Sequence, residues 1–242
     1  MNTEIDNLTM DEALLEIDHI IQEECGTYVV TPNVDHIVQL ETNKDLQMAY
    51  QNARLRITDG KPLIWISKLY RTPIKEKISG SDLFPKLCEL SAQKGYRMFF
   101  LGAAEGVAAR AAEGLRQRYP NLQVVGTYSP PIGFENNELE MENIVNKVRD
   151  SKPHILIVGL GCPKQEMFMY HTCRQLCVPI SLGLGASFDF EAGNIKRAPK
   201  WMADHGLEWL FRITQDPKRM IRRYLIEDMK IFCLMWKYRK DS

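Results

Sequence analysis

Six short apolar runs, separated by longer segments of helical period, constrain this chain more than any other feature. They are "TYVVTPN" (27–33), "LRITDG" (55–60), "RMFFLG" (97–102), "QVVGTYS" (123–129), "HILIVGLG" (154–161) and "PISLGLGASFDF" (179–190). Most end in glycine or another turn residue. A strand with one wet face alternates apolar and polar residues. These runs are apolar on both faces, so both must be covered. The intervals 11–24, 35–52, 81–94, 105–119, 138–150 and 164–176 carry apolar residues at helical spacing. Strand and helix in repetition predict an α/β fold: a mainly parallel sheet covered by helices, with a Rossmann-like core.

The pattern changes near Ala198. Beyond it the sequence reads as a short helix over 207–215, a break at Asp216-Pro217 and a last helix to about Tyr238. The expected division is an α/β core over 1–198 and a helical appendage over 199–242. A chain of 242 residues, 45% hydrophobic, is long enough for one sizeable core and a small appendage.

Formal net charge is zero, so the whole chain has no global attraction to polyanions. The charge is concentrated, however. Residues 217–240 hold eight Lys/Arg against Glu227 and Asp228, a balance of +6. Arg219, Arg222, Arg223 and Lys230 follow helical spacing, and Met220, Ile221, Tyr224, Leu225 and the run 231–236 supply apolar surface. Basic and apolar faces on one terminal helix suit an anionic membrane surface. The same pattern fits a helix packed on the domain with a solvated basic side. Nucleic acid is disfavoured, because the cations are confined to one short element.

The N-terminus, "MNTEIDNLTMDEAL", is acidic and lacks the apolar stretch of a signal peptide. No apolar run approaches membrane-spanning length. The six cysteines form no CxxC pair, and no histidine stands beside one at zinc-ligand spacing. The expectation is an intracellular protein with reduced thiols.

Ligands of open α/β sheets bind at the carboxyl ends of the strands. The residues just past each run are therefore the candidates: Thr31 and Asn33, Thr58 to Gly60, Gly102, Ser129 to Gly133, Gly159 to Gln165, and Gly185 to Asp189. In "VGLGCPKQE", Gly161 and the helix start after it can cradle an anion, with Lys164 adding a cation and Gln165 an amide. A dinucleotide fingerprint needs a third glycine where Lys164 stands. A tight structural turn explains the glycines equally well. Asp59 in "ITDGKPLIW" is a helix cap or a catalytic carboxylate. Asp189 and Glu191 form a D-x-E, fit either for a divalent ion on a diphosphate or for pairing with Lys196 or Arg197. His36 reads as a satisfied histidine rather than a ligand.

Taken in order, "TPNVDHIV", "ITDGKPLIW", "KISGSDLF", "FFLGAAEGVAARAAEGLRQRYPNLQVVGTYSPPIGF", "VGLGCPKQE", "GLGASFDFEAGNIKRAPKW" and "LEWLFRITQDPKRMIRRYL" resemble the WecG/TagA/CpsF family of bacterial glycosyltransferases. The resemblance covers nearly the whole chain. It implies transfer of a sugar, of N-acetylmannosamine type or a related hexose, from a UDP-sugar to an undecaprenyl-diphosphate-linked sugar. The setting it implies is the cytoplasmic face of the membrane, during synthesis of teichoic acid, capsule or another cell-surface polysaccharide. It further implies an inverting reaction without metal or cofactor, in a family whose members can form dimers or trimers. Asp59 resembles the family's general base, and Thr31 and Asn33 the polar pair beside the sugar. Gln165, after the Gly161–Lys164 turn along the donor site, and Asp189 in "FDF" resemble donor contacts. Arg212, Arg219 and Arg222 resemble appendage arginines that meet diphosphate. Lys77 stands where relatives often carry arginine, which keeps the cation and loses the bidentate fork. Two other readings rest on less: a Rossmann-type oxidoreductase on the glycine turns, and a non-catalytic lipid or nucleic-acid binder on the last helix.

Overall fold

The computed structural model describes residues 1–23, 26–199, 201–202 and 205–239, with the Arg219 side chain outside the description. Six strands form one parallel sheet in the order β2-β1-β6-β5-β3-β4. They are β1 (Thr27–Val30), β2 (Leu55–Arg56), β3 (Arg97–Gly102), β4 (Gln123–Tyr128), β5 (Ile155–Gly159) and β6 (Ile180–Gly183). Each falls inside one of the six apolar runs. The last run is shorter as a strand than its sequence suggests. It leaves the sheet after Gly183 and turns into a short helix, α9 (Ser187–Glu191).

The two-residue period of the strands sorts side chains into two layers. Val29, Met98, Phe100, Ile155 and Ile157 face α1 (Met10–Glu23), α5 (Gly80–Lys94) and α6 (Val107–Arg118). Tyr28, Val30, Phe99, Leu101, Leu156 and Val158 face α2 (Val34–Leu40), α3 (Lys44–Asn52), α7 (Glu138–Ser151) and α8 (Lys164–Leu176). This is the physical content of the doubly apolar runs. Right-handed crossovers account for the division, since connections running opposite ways along the sheet must cross on opposite faces. The interval 35–52 is two helices, because Asn43 ends one turn and caps α3 through Leu46 N–H at 3.0 Å. Lys61–Leu69 forms α4, the helix that the sequence reading placed directly after Asp59.

The C-terminal region contains α10 (Glu208–Gln215), α11 (Pro217–Arg222), a π-helical turn over Arg223–Glu227, and α12 (Lys230–Tyr238). The expected continuous last helix is thus interrupted. The Asp228 N–H bonds the Arg223 carbonyl at 2.8 Å, which widens the helix by one residue at that point. Ile231 and Leu234 of α12 are buried in the cluster that holds Ile37 and Leu40 of α2. Tyr238 Oη donates to Glu41 at 3.1 Å, and Lys237 pairs with the same carboxylate. Tyr70 Oη donates to the Met235 carbonyl at 2.5 Å. The expectation that 231–236 as a block meets a membrane is therefore corrected. Its inner face packs on α2, while Phe232 and Trp236 are 59% and 67% exposed. No helix among the described residues is long and apolar enough to cross a membrane.

Candidate active site

β1 lies between β2 and β6, so the carboxyl ends of these three strands open on one crevice. Parallel pairing of β1 and β2 continues past the strands. Ile57 N–H bonds the Val30 carbonyl at 2.9 Å and Asp59 N–H bonds the Pro32 carbonyl at 2.8 Å. This register sets Asp59 beside the Thr31–Asn33 turn. Gly60, at φ +109°, then turns the chain into α4 and occupies its N-cap. The capping role considered for Asp59 thus belongs to its neighbour, and the half-buried carboxyl is left to the crevice.

Burial raises the Asp59 pKa to about 6. Arg212, Lys77 and Arg223 oppose the rise, and Glu208 adds to it. Asp59 is therefore a carboxylate poised near neutrality, with cations around it from both the core and the appendage. Thr58, next to it, is buried and its hydroxyl has no hydrogen-bond partner.

Thr31 donates its hydroxyl to the Gly183 carbonyl at 2.9 Å, which ties the end of β1 to the end of β6. Asn33 caps α2, accepting from His36 N–H at 3.3 Å. The Asn33 N–H in return donates to His36 Nδ1 at 3.1 Å. His36 is buried, as its reading as a satisfied histidine requires. Its Nε2, Cys162 Sγ and a Glu166 oxygen lie close enough together to suggest an ion. The tautomer argues otherwise. Nδ1 accepts the Asn33 N–H, so Nε2 carries the proton and offers no lone pair.

The glycine turn after β5 has two distinct parts. A Cβ on Gly159 would fall 2.7 Å from Phe188 Cδ2 and 2.8 Å from the Gly185 carbonyl, so this glycine serves close packing. Gly161, at φ +76°, faces open space. Lys164 is paired with Glu135 of the β4–α7 loop. Gln165 is buried and both ends of its amide are engaged. Its Oε1 accepts from Gly185 N–H at 3.2 Å, and its Nε2 donates to Glu166 Oε1 at 2.8 Å. In this arrangement Gln165 shapes the Gly183–Gly185 turn from beneath.

The D-x-E acids go separate ways. Asp189 accepts from Asn194 Nδ2 at 3.1 Å. Glu191 pairs with Arg118 at 3.0 Å and lies 3.8 Å from Arg197. Of the two roles open to Glu191, the structure shows the arginine pair. Lys77 pairs with Asp82 at 3.2 Å, and Arg197 approaches the same carboxylate at 3.1 Å.

The appendage arginines are sorted by the fold. Arg212 contacts Glu208 at 2.9 Å and lies over the Phe190 ring at 5.4 Å, while its buried Nε has no partner. Arg222 is 76% exposed and pairs with Glu227 at 3.0 Å, away from the crevice. Arg219 lies on α11, and its side chain is outside the described residues. The residue that reaches the site is Arg223, which the sequence reading left out of its site residues. Its Nη2 stands 3.4 Å from Asn33 Oδ1 and 3.5 Å from Asp35 Oδ2, and its buried Nε is unpartnered. The sequence set Arg223 at helical spacing with Arg219 and Arg222 but did not say which of them turns inward. Met220, one turn before Arg223, is buried and marks the inward face.

The ends of the parallel strands thus bring together a carboxyl with a raised pKa, a Thr/Asn pair and two arginines of the appendage. The chain belongs to the glycosyl transferase WecG/TagA/CpsF family, whose model matches residues 1–242. It is a glycosyltransferase. Among curated relatives it is 32% identical over 215 residues to a protein of Bacillus spizizenii (strain ATCC 23059 / NRRL B-14472 / W23), covering 89% of this chain and 81% of that one. A Bacillus subtilis (strain 168) relative is 29% identical over 217 residues, covering 89% and 82%. A Staphylococcus aureus (strain MW2) relative is 27% identical over 224 residues, covering 92% and 86%. All three are named N-acetylglucosaminyldiphosphoundecaprenol N-acetyl-beta-D-mannosaminyltransferase.

Proposed function

We propose that this chain moves an N-acetylmannosamine-type sugar from a UDP-sugar to N-acetylglucosamine on undecaprenyl diphosphate, with inversion at the anomeric carbon. Asp59 carries the reading: a carboxyl with a pKa near 6 is ionised at neutral pH yet basic enough to take a proton in the transition state. The acceptor hydroxyl loses its proton to Asp59 as its oxygen bonds the anomeric carbon. The bond from that carbon to UDP breaks, and UDP leaves with the electron pair. Thr31 and Asn33 orient the sugar. Arg212 and Arg223, each with an unpartnered Nε, take up the diphosphate charge. Lys77, Lys164, Gln165, Asp189 and the open backbone at Gly161 complete the donor side.

The acceptor is a membrane lipid, so the enzyme works as a peripheral protein on the cytoplasmic face. The exposed Ile221, Leu225, Phe232 and Trp236, with Lys230 beside them, support that contact. The product would feed cell-surface polymer synthesis such as that of teichoic acid. A panel of UDP-sugars against a short-chain polyprenyl-diphosphate N-acetylglucosamine, read by UDP release, tests the reading. Release with the N-acetylmannosamine donor is expected. Release with no donor sinks it.

A further inference from the structure

Glu166 is fully buried (0% exposed), yet no role in the proposed chemistry uses it. A buried carboxyl is costly unless its partners need it. Its partners belong to two different walls of the crevice. Toward β1, Glu166 Oε1 lies 3.6 Å from His36 Nε2, and the other ring nitrogen of His36 accepts the Asn33 N–H at 3.1 Å. Toward β6, Oε1 accepts from Gln165 Nε2 at 2.8 Å, and Gln165 Oε1 accepts from Gly185 N–H at 3.2 Å. One carboxylate oxygen is therefore hydrogen-bonded to the Gly183–Gly185 side through Gln165 and stands in electrostatic range, beyond hydrogen-bond length, of the His36 ring on the Asn33 side. The Thr31–Gly183 bond runs between the same two walls above it.

We propose that Glu166 and His36 are positioning residues, a buried strut that fixes the Asn33 turn against the β6 turn and so sets the geometry of sugar transfer. The proposal rests on the reading of the crevice as the transfer site. The contacts are polar throughout. With Nδ1 accepting, His36 has one way to stand, its Nε2–H aimed at Glu166. Burial supports this state, pushing His36 down to about 4 and Glu166 up to about 7. His36 is therefore neutral at neutral pH and keeps a single tautomer. Tyr50 packs its ring 6.2 Å from His36 and closes the strut from α3.

The test uses the full chain and two readouts. The first is the backbone amide resonances of Asn33 and Gly185, which need no substrate. The second is steady-state transfer read by UDP release. Glu166→Ala should move both resonances and lower kcat by about tenfold or more, with donor KM little changed, the pattern of lost alignment. Glu166→Gln keeps a carbonyl where Oε1 stands and should restore the resonances and most of kcat. His36→Phe should shift Asn33 as Glu166→Ala does, and the double variant should be no worse than the poorer single. Unmoved Asn33 in folded Glu166→Ala overturns the proposal. So does a Gln variant as slow as Ala, or additive losses in the double variant. Should Glu166→Ala not fold, Glu166→Gln and His36→Phe decide by the same readouts. Failure of the wild type to release UDP with any donor overturns the functional reading alone, and the resonances still decide the strut.

Discussion

The guanidinium of Arg223 lies 3.4 Å from the side-chain oxygen of Asn33, joining the appendage to the turn after the first strand. The same arginine lowers the pKa of Asp59 from across the crevice. Cations from the last quarter of the chain thus stand beside a carboxyl and a polar pair from the first quarter. We predict that Arg223→Ala lowers transfer by about tenfold or more, the scale of losing one charge-assisted contact to the leaving group. Arg222→Ala, on the exposed side, should stay within about twofold of wild type. Equal losses in the two variants, measured by UDP release, would count against the inward assignment of Arg223.

Asp59 should govern the acid limb of the pH profile. Only its ionised form accepts a proton, so turnover should fall as pH drops through about 6. Asp59→Asn should slow transfer by about two orders of magnitude while leaving donor binding in place. Arg212→Gln removes a charge that holds the Asp59 pKa down, so the acid limb should move to higher pH. A limb that stays put in Arg212→Gln would separate the two residues.

Stability should show the opposite preference. The folded-state pKa of Asp59 is raised above its ordinary 3.8 to about 6. Its contribution to stability is then fully present below the unfolded value and is lost as pH rises through about 6. Asp59→Asn should accordingly raise Tm at pH 7–8, by the equivalent of about 1–3 kcal/mol, and change little at pH 4. Thermal melts at the two pH values check this. A fall in Tm at pH 7–8 contradicts it.

Glu191 should matter for folding more than for donor chemistry. Its carboxylate is largely buried against Arg118 and Arg197. Glu191→Ala removes the partner of Arg118, while Arg197 keeps Asp82; both guanidiniums are about half exposed, so the cost in denaturant unfolding should be about 1 kcal/mol or less. Transfer should proceed unchanged in EDTA. Loss of activity in EDTA with rescue by magnesium would return Asp189 to the role of a metal ligand.

The two faces of α12 should separate by substitution. Leu234→Ala opens a gap against α2 and should cost about 2–5 kcal/mol with α12 loosened. Phe232→Ser with Trp236→Ser should leave Tm nearly unchanged but reduce pelleting with anionic liposomes. Liposome binding unaffected by the second pair would move the membrane contact elsewhere on the appendage.

Local patterns determined a good deal of this protein. Runs apolar on both faces, such as Ile155–Val158, can be satisfied only between two helical layers, and the structure has those layers. Asp59 and the Thr31–Asn33 turn were legible because parallel strands expose their carboxyl ends. The ordered motifs then placed the chain in its family. What sequence spacing left open depended on packing between distant segments. Helical periodicity put Arg219 and Arg222 on one face, but burial of Met220 and the π turn after it bring Arg223 to Asn33 instead. The run 231–236 looked uniform, yet α2 covers Ile231 and Leu234 and leaves Phe232 and Trp236 outside. Asp59 acquires its pKa, and Glu166 its two walls, only when the sheet sets β1 between β2 and β6. Burial and long-range charge are properties of that arrangement, and no window of local sequence contains them.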